Sequence, residues 1–170
     1  MNKMELQETL VLISGKSVKH IVKNICGEKL GHGATRAVYV LKHNPKYVVK
    51  IEHHPENGDF ANVGEFRNYL NYSETFLQNW LAPCQVINET GQVLIQQRVY
   101  NSEKKHPEKI PTVFTDTKRA NFGWIKNKFV CCDYSFLVFP LPNKLKRAKW
   151  WDCNSKEMSC IGKRPKTKLK

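Results

Sequence analysis

The chain has 170 residues, a length that suits one domain of the usual ~100–200 residues. Hydrophobic residues form 41% of it and charged residues 25%, a composition that excludes wholesale disorder. The 28 Lys and Arg outnumber the 15 Asp and Glu, and the resulting net charge of +13 favours polyanions, such as nucleic acid or nucleotide phosphates, over basic partners.

The apolar runs are too short for a membrane-spanning segment, which needs about 18 or more residues. The longest run near the start, residues 10–13, follows Glu5 and Glu8, so a secretory signal is not predicted.

The cysteines form no C-x-x-C pair and lie mostly in apolar runs, which favours buried reduced thiols over zinc ligands or disulfides. They are Cys26, Cys84, Cys131, Cys132, Cys153 and Cys160. We therefore expect a cytoplasmic protein without a membrane partner.

The first predicted element is a short helix over residues 17–26. Ser17 is a suitable N-cap, apolar residues recur at positions i, i+3, i+4 and i+7 from Val18, and Gly27 stands where a helix C-cap would. Residues of high β-propensity then dominate. The predicted strands cover residues 28–30, 37–42 and 46–53, and Asn44-Pro45 supplies the turn between the last two.

A longer helix is predicted over residues 60–81 and ends before Pro83. Its apolar side at helical spacing consists of Val63, Phe66, Leu70, Leu77 and Trp80. Two hairpins follow, separated by a polar loop at residues 100–109. The first joins 85–89 to 92–99 through Thr90-Gly91, and the second joins 122–126 to 128–132 through Asn127. This order predicts an α+β fold with an antiparallel sheet.

Basic residues concentrate at the C-terminus. Residues 143–170 contain ten Lys or Arg and two acidic residues. We therefore divide the chain into a single domain over 1–142 and a basic segment over 143–170, whose last eight residues form a tail. This segment would bind nucleic acid, with Trp150 and Trp151 stacking on unpaired bases, or an acidic host protein. Alternatively, both tryptophans pack the segment onto the domain while its lysines stay solvated.

Four pieces of sequence carry residues suited to phosphate chemistry. Gly31 and Gly33 let backbone N–H groups approach phosphates without an intervening Cβ, although a tight hairpin turn explains the same pattern. Lys50 lies in an apolar strand on the same face as Val48, and a buried ammonium needs an anionic partner. Glu65, at the start of the following helix, is either that partner or the last member of a capping box.

The fourth piece contains oxygen ligands. Asp116 and Asn121 lie five residues apart in a loop, and Asp133 follows them after a hairpin. Carboxylate and amide oxygens are hard ligands, and such a set suits Mg²⁺ that carries phosphates.

Taken in order, these pieces resemble the protein kinase superfamily, in particular the short kinase-like proteins of bacteriophages. The matching positions are Gly31, Gly33 and Val38 of the Gly-rich loop, Val48-Val49-Lys50 of the V-A-I-K strand, Glu65 of the next helix, Asp116, Lys118 and Asn121 of the catalytic loop, and Asp133 of D-F-G. The resemblance implies a small lobe over residues 28–99, made of an antiparallel sheet and one long helix, with the leading helix at 17–26 before it. A catalytic and metal loop segment would cover 111–140.

The resemblance also implies ATP and Mg²⁺ as cofactors. Gly31, His32, Gly33 and Val38 would cover the nucleotide, and a hinge at residues 96–99, with Gln97 and Val99, would touch adenine. Lys50, oriented by Glu65, would hold the α and β phosphates. Asn121 and Asp133 would hold the metal, Asp116 would accept the proton of a substrate hydroxyl, and Lys118 would lie near the γ-phosphate.

Several family features are missing from the sequence. Arg36 replaces the third glycine of the loop, Phe114 and Thr115 replace the His and Arg of H-R-D, and Tyr134-Ser135 replaces the Phe-Gly of D-F-G. Only 35 residues follow Ser135, so the large lobe is severely truncated. The sequence therefore favours either an active minimal kinase, acting on a Ser, Thr or small-molecule hydroxyl, or a pseudokinase-type module that binds a host protein. A dimer would cover apolar surface that the truncation exposes.

Overall fold

Helices and antiparallel sheets together form the part of the chain that the computed structural model describes, residues 1–33, 35–54, 60–137 and 144–152 and the backbone of 161–162. The α-helices are α1 (Lys3–Ile13), α2 (Val18–Ile25) and α3 (Ala61–Asn71). The strands are β1 (Cys26–His32), β2 (Arg36–Leu41), β3 (Tyr47–Glu52), β4 (Cys84–Ile87), β5 (Val93–Gln97), β6 (Val99–Tyr100), β7 (Lys109–Pro111), β8 (Phe122–Ile125), β9 (Lys128–Cys131), β10 (Leu145–Arg147) and β11 (Ile161–Gly162). Short 3₁₀ helices cover Phe76–Trp80 and Arg119–Asn121. The predicted α+β class is confirmed.

The first five strands form one antiparallel sheet in the order β1-β2-β3-β5-β4. Its β4–β5 hairpin turns where Thr90-Gly91 predicts it. Gly91 has φ of +79°, a left-handed value that glycine adopts without steric cost, and a Cβ there would lie 2.5 Å from Val63 Cγ2. The three predicted strands of the first half are present, and the first of them extends over the whole of β1.

Alternation along the strands divides this sheet between two apolar cores. One core, against α1 and α2, contains Ile13, Ile21, Ile25, Val49, Ile51 and Ile95. The other, on the opposite face, contains Val38, Val48, Leu94, Phe122, Cys132 and Tyr134 and continues into the second half of the chain. Lys50 is two residues after Val48 and therefore enters the second core, where it is fully buried, as the sequence predicts.

A second antiparallel sheet is formed by β6, β8 and β9, and β11 pairs in parallel with β6. The β8–β9 hairpin turns at Lys126, which has φ of 54°, and Asn127, so the second predicted hairpin is confirmed. The rings of Phe122 and Phe129 stack with their centroids 5.7 Å apart, and Trp150 meets both rings edge-on at 5.0 and 5.7 Å.

The described part of the basic C-terminal segment packs on this second sheet. β10 pairs with β7, and Trp150 Nε1 donates a hydrogen bond to the Pro107 carbonyl at 2.9 Å. For Trp150 the packing alternative is therefore confirmed, whereas Trp151 is 46% exposed. The predicted tail at residues 163–170 lies outside the described residues.

The predicted single long helix over 60–81 is wrong. α3 ends at Asn71, and the chain resumes as the 3₁₀ helix Phe76–Trp80. Thr75 Oγ1 accepts a hydrogen bond from Leu77 N–H at 3.3 Å and donates one to the Tyr72 carbonyl at 2.9 Å. The threonine side chain thus satisfies backbone groups that a continuous helix would pair with each other. Leu70, predicted on the buried side, is 54% exposed.

The N-terminal region also differs from the prediction, which has no element before Ser17. Asn2 and Glu5 form a capping box that starts α1, with hydrogen bonds of 2.9 and 3.0 Å. Gly27, predicted as a helix C-cap, lies within β1, and Cys26 ends α2 instead.

None of the described helices combines the length and apolar composition that crossing a membrane requires.

The cysteines in the described residues are free thiols. Cys84, Cys131 and Cys132 are buried and Cys26 is half-buried, as the sequence predicts. Burial raises the pKa of the Cys84 thiol to about 12, so this thiol stays protonated at neutral pH. Cys153 and Cys160 lie outside the described residues.

Because Trp150 joins the aromatic core and Trp151 does not, the two neighbours should differ in their effect on stability. We expect Trp150→Ala to lower the free energy of unfolding by about 2–3 kcal/mol. We expect Trp151→Ala to lower it by less than about 1 kcal/mol. Urea unfolding of both variants measures the difference. Equal losses would contradict the packing of residues 144–152 described above.

Candidate functional site

Glu65 is the centre of a buried ionic cluster. Its Oε1 accepts hydrogen bonds from Lys50 Nζ and Gln96 Nε2, each at 2.6 Å, and its Oε2 pairs with Arg36 Nη1 at 2.6 Å. Lys50, Glu65 and Gln96 are fully buried, and Arg36 is 6% exposed. A carboxylate without water needs cations and donors around it, and these three side chains supply them. The Lys50–Glu65 pair predicted from the sequence is formed.

The capping-box alternative for Glu65 is wrong. α3 begins after Phe60, which makes no side-chain capping hydrogen bond. Glu52, at the end of β3, caps the helix instead and accepts hydrogen bonds from the N–H groups of Ala61 at 2.9 Å and Asn62 at 3.0 Å. A carboxylate is favourable at a helix N-terminus because the first N–H groups lack partners and carry partial positive charge. Glu65 consequently points to the sheet.

Strand register places the partners of Glu65 on one face of the sheet. Lys50 lies opposite Val38, and Arg36 is two residues before Val38, so both cations project from the same face. Gln96 is two residues after the β5 position that faces Lys50. The side chains of Arg36 and Gln96 have no role among the sequence predictions. The alternation of side chains along β2 and β5 was the signal that could have placed both residues on the same face of the sheet as Lys50.

The β8–β9 hairpin carries Asp133 to this cluster from the second sheet. Lys50 Nζ donates a hydrogen bond to the Cys132 carbonyl, and Asp133 Oδ1 pairs with Arg36 Nη2 at 2.5 Å. The Asp133 side chain is 24% exposed. Burial would raise the pKa of its carboxyl, but the charges of Arg36 and Lys50 outweigh burial, so the pKa lies below its ordinary value. Asp133 therefore lies beside the Lys50–Glu65 pair as an anion.

α3 holds the segment after Asp133 through close backbone contact. Asn68 Nδ2 donates hydrogen bonds to the carbonyls of Tyr134 at 2.9 Å and Ser135 at 3.1 Å. A Cβ on Gly64 would lie 3.0 Å from the Ser135 carbonyl oxygen, so glycine permits this approach. The Tyr134 hydroxyl donates to the Ala82 carbonyl at 2.5 Å inside the second core. The Asp-Tyr-Ser segment is thus fixed on two sides.

Asp116, Lys118 and Asn121 form a compact turn beside this segment. Asp116 Oδ1 accepts a hydrogen bond from Lys118 N–H at 3.0 Å, and Asp116 Oδ2 accepts one from Asn121 Nδ2 at 2.8 Å. Asp116 is exposed, whereas Asn121 is 9% exposed. The Asn121 carbonyl accepts a hydrogen bond from Cys132 N–H at 2.8 Å, which places Asn121 next to Asp133 at the open end of the hairpin.

The residues predicted to cover the nucleotide lie in the β1–β2 hairpin. Gly31 lies opposite Val38, and Gly33 N–H donates a hydrogen bond to the Arg36 carbonyl at 2.7 Å. That N–H group therefore forms a hydrogen bond within the hairpin turn. This agrees with the alternative explanation of Gly31 and Gly33, that they allow a tight turn. His32 is exposed and Val38 is fully buried. The hairpin leads through Arg36 directly into the ionic cluster.

Gln97 and Val99, predicted to touch adenine, lie where β5 passes into β6. Gln97 N–H donates to the Pro83 carbonyl at 2.8 Å, and Val99 is buried. Val99 is also paired with Ile161 of β11. The structure does not bring either residue to Glu65, which instead binds their neighbour Gln96.

The C-terminal segment runs along the Asp116 turn. Arg119 N–H donates to the Trp151 carbonyl at 2.9 Å, and Trp151 N–H donates to the Thr117 carbonyl at 3.4 Å. Lys118 Nζ lies 5.8 Å from the centroid of the Trp151 ring. The backbone of this segment thus forms one wall of the surface around the turn.

Within the described residues, no group of three or more His, Cys, Asp or Glu could hold a metal ion. Asn121 and Asp133, predicted for Mg²⁺, carry amide and carboxylate oxygens at one end of the hairpin, the hard donor type that this ion prefers. Asp133 Oδ1, however, already pairs with Arg36. Cavities of about 700 Å³ beside α1 and about 600 Å³ beside the β8–β9 turn lie outside the ionic cluster.

Comparison with known proteins gives no match, either to a protein-family model or to a curated protein. The geometry of the ionic cluster and the motif resemblance in the sequence are therefore the basis for a functional proposal.

The contacts of Glu65 predict an asymmetry between the two members of the pair. Glu65→Gln leaves Lys50 and Arg36 without their shared carboxylate, and we expect a loss of about 3–5 kcal/mol in the free energy of unfolding. Lys50→Met leaves Glu65 with Arg36 and Gln96, and we expect a smaller loss of about 1–2 kcal/mol. Denaturant unfolding gives both values. A larger loss for Lys50→Met would show that Glu65 does not hold the cluster together.

Proposed function

We propose that this chain is a minimal kinase-like protein that binds ATP with Mg²⁺ and transfers the γ-phosphoryl group to a Ser, Thr or small-molecule hydroxyl. The observation that carries the proposal is the buried Lys50–Glu65 pair at 2.6 Å, against the backbone that precedes Asp133. A second carboxylate, that of Asp133, reaches the same cluster from the other sheet and pairs with Arg36. The first sheet with α3 would be the small lobe, and the β8–β9 hairpin the catalytic-loop hairpin.

The ionic cluster would take the phosphates of the nucleotide. Lys50 would bind the α and β phosphates, with Glu65 holding its ammonium in place. The hairpin with Gly31 and Gly33 would lie over them, and the backbone at 97–99 would contact adenine. Mg²⁺, held by oxygens of Asn121 and Asp133, would neutralise charge on the transferred group.

Asp116 would accept the proton of the substrate hydroxyl. Its carboxylate is exposed, and hydrogen bonds from Lys118 N–H and Asn121 Nδ2 fix its orientation. As the proton leaves, the hydroxyl oxygen bonds to the γ-phosphorus and the bond to the bridging oxygen of ADP breaks. The Lys118 side chain would stabilise negative charge on the transferred group.

A pseudokinase-type binding module is the alternative form of this proposal, and two observations favour it. Described residues 72–137 contain strands and 3₁₀ helices but no α-helix, so the helical lobe that holds peptide substrates in kinases is not among them. Lys50 is also fully buried, so phosphates contact it only after the cluster rearranges. Such a module would act through a protein partner and would bind nucleotide without transfer or not at all.

Nucleotide binding is tested by thermal unfolding with ATP and Mg²⁺. We expect ATP with Mg²⁺ to raise the melting temperature of the wild type, because a ligand at 100 times its Kd adds about 2.7 kcal/mol of stability. Lys50→Met and Asp133→Asn should abolish this increment, each compared with the same variant without nucleotide. Lys128→Met, which removes an exposed lysine of β9, is the control and should keep it.

Transfer from γ-³²P-labelled ATP then separates kinase from pseudokinase. Asp116→Asn is expected to lower labelling by about 10²-fold, and Glu108→Gln, at an exposed carboxylate, to leave it unchanged. Binding without labelling in the wild type would assign the pseudokinase form. A wild type that shows no thermal shift at millimolar ATP would contradict the kinase and leave the binding module without nucleotide.

The ribbon of β7 and β10 favours a second function, binding of a polyanion such as single-stranded nucleic acid. Arg147 lies directly opposite Lys109 in this ribbon, and both side chains are exposed. Like charges at opposed strand positions destabilise a ribbon, and a bound phosphate backbone would relieve their repulsion.

Point variants test this second function, because residues 144–152 are part of the fold and cannot be deleted without damage. We expect Lys109→Ala and Arg147→Ala each to reduce the salt slope of oligonucleotide binding by about one unit, as measured by fluorescence anisotropy. Lys23→Ala, on α2, is the control. Slopes equal to that of the control would place the contacts elsewhere.

A further inference from the structure

Arg36 bridges the two carboxylates of the ionic cluster. Its Nη1 pairs with Glu65 Oε2 at 2.6 Å and its Nη2 with Asp133 Oδ1 at 2.5 Å, and 6% of its side chain is exposed. A planar guanidinium suits such forked contacts and holds its charge at any physiological pH. In the motif comparison this position corresponds to a glycine, so the guanidinium is a property of this chain.

The bridge places a fixed positive charge where a metal ion would bind. Asp133 is the carboxylate assigned to Mg²⁺, and one of its oxygens already contacts Arg36. A divalent cation on the other oxygen would lie within a few ångströms of the guanidinium. Two like charges at that separation repel strongly in a site that is largely closed to water. The guanidinium therefore weakens metal binding at Asp133, and a bound metal weakens the contact of Arg36 with Asp133.

We propose that Arg36 competes with the divalent cation for Asp133 and moves to the nucleotide phosphates when the cation binds. This inference rests on the proposed function and describes how the same site is controlled. Without ligand, Arg36 neutralises Asp133 and closes the cluster. With ligand, the cation takes Asp133, and the guanidinium becomes a phosphate-binding group.

The position of Arg36 supports the second part of this exchange. It directly follows the hairpin with Gly31 and Gly33, whose expected place is over the phosphates. Guanidinium groups match phosphate oxygens in a bidentate geometry. Glu65 keeps Lys50 and Gln96 after Arg36 leaves, so the rest of the cluster retains its hydrogen bonds.

The exchange predicts effects of opposite sign on metal and nucleotide affinity, whereas a purely structural bridge predicts losses in both. In Arg36→Met, Asp133 loses its guanidinium partner, and we expect Mn²⁺ alone to bind at least about 10-fold more tightly than to the wild type. ATP at saturating Mg²⁺, when the cation holds Asp133 and Arg36 is free to bind phosphate, should bind at least about 10-fold more weakly. Electron paramagnetic resonance of Mn²⁺ and titration calorimetry of ATP measure the two affinities.

Controls link the effect to Asp133. Arg67→Met removes an exposed arginine of α3 and should leave both affinities at wild-type values. The double variant with Arg36→Met and Asp133→Asn should lose the gain in Mn²⁺ affinity. Arg36→Lys, which keeps a cation but cannot reach both carboxylates at once, replaces Arg36→Met if circular dichroism shows that the latter is unfolded, with the same direction expected.

Equal Mn²⁺ affinity in the wild type and the Arg36 variant would overturn the proposal, as would weaker binding or no binding in the variant. These results are distinguishable from failure of the proposed function. If ATP binds the wild type but the Mn²⁺ affinities do not differ, the exchange is wrong and nucleotide binding stands. If ATP binds under no condition, the proposed function is wrong and the transfer of Arg36 to phosphates is overturned with it.

Discussion

The structure depends on the hydrogen bonds and ion pairs that the buried Glu65 carboxylate needs in place of water. Donors from β2, β3 and β5 meet its two oxygens, so three strands of the first sheet and α3 are tied to one side chain. Removing the carboxylate leaves two buried cations without their shared partner, which costs more than the individual hydrogen bonds contribute. The position of α3 on the sheet is thereby determined by polar contacts as well as by apolar packing.

The second sheet is also connected to the cluster by the pairing of opposite charges. Arg36 and Lys50 balance Glu65 and Asp133, and the Lys50 ammonium also reaches the backbone of Cys132. Among the described residues these four charges cancel, so no ligand is needed to balance them. Any anion or metal that enters must exchange partners with these side chains, so binding and rearrangement are coupled.

Local patterns explain which parts of the fold were predictable. The two hairpins follow from Thr90-Gly91 and Asn127, because turn residues act over a few positions. The burial of Lys50 follows from strand alternation next to Val48. The end of α3 was missed because Thr75 forms side-chain hydrogen bonds that compete with helical periodicity. The start of α1 was missed although Asn2 and Glu5 have the spacing of a capping box, which a sequence can show.

The sequence by itself contains the order of the motifs, the alternation of β3 and the spacing between Asn121 and Asp133. These features were sufficient to predict that Lys50, Glu65 and the β8–β9 hairpin belong to one candidate site. Only the tertiary structure decided that Arg36 holds Asp133, that Glu52 rather than Glu65 caps α3, and that residues 144–152 line the Asp116 turn. Each of these contacts joins residues from different elements, and no local sequence pattern encodes how far apart those elements lie in space. Several charged side chains can also compete for one carboxylate, and the outcome depends on the positions of all of these side chains in the folded protein.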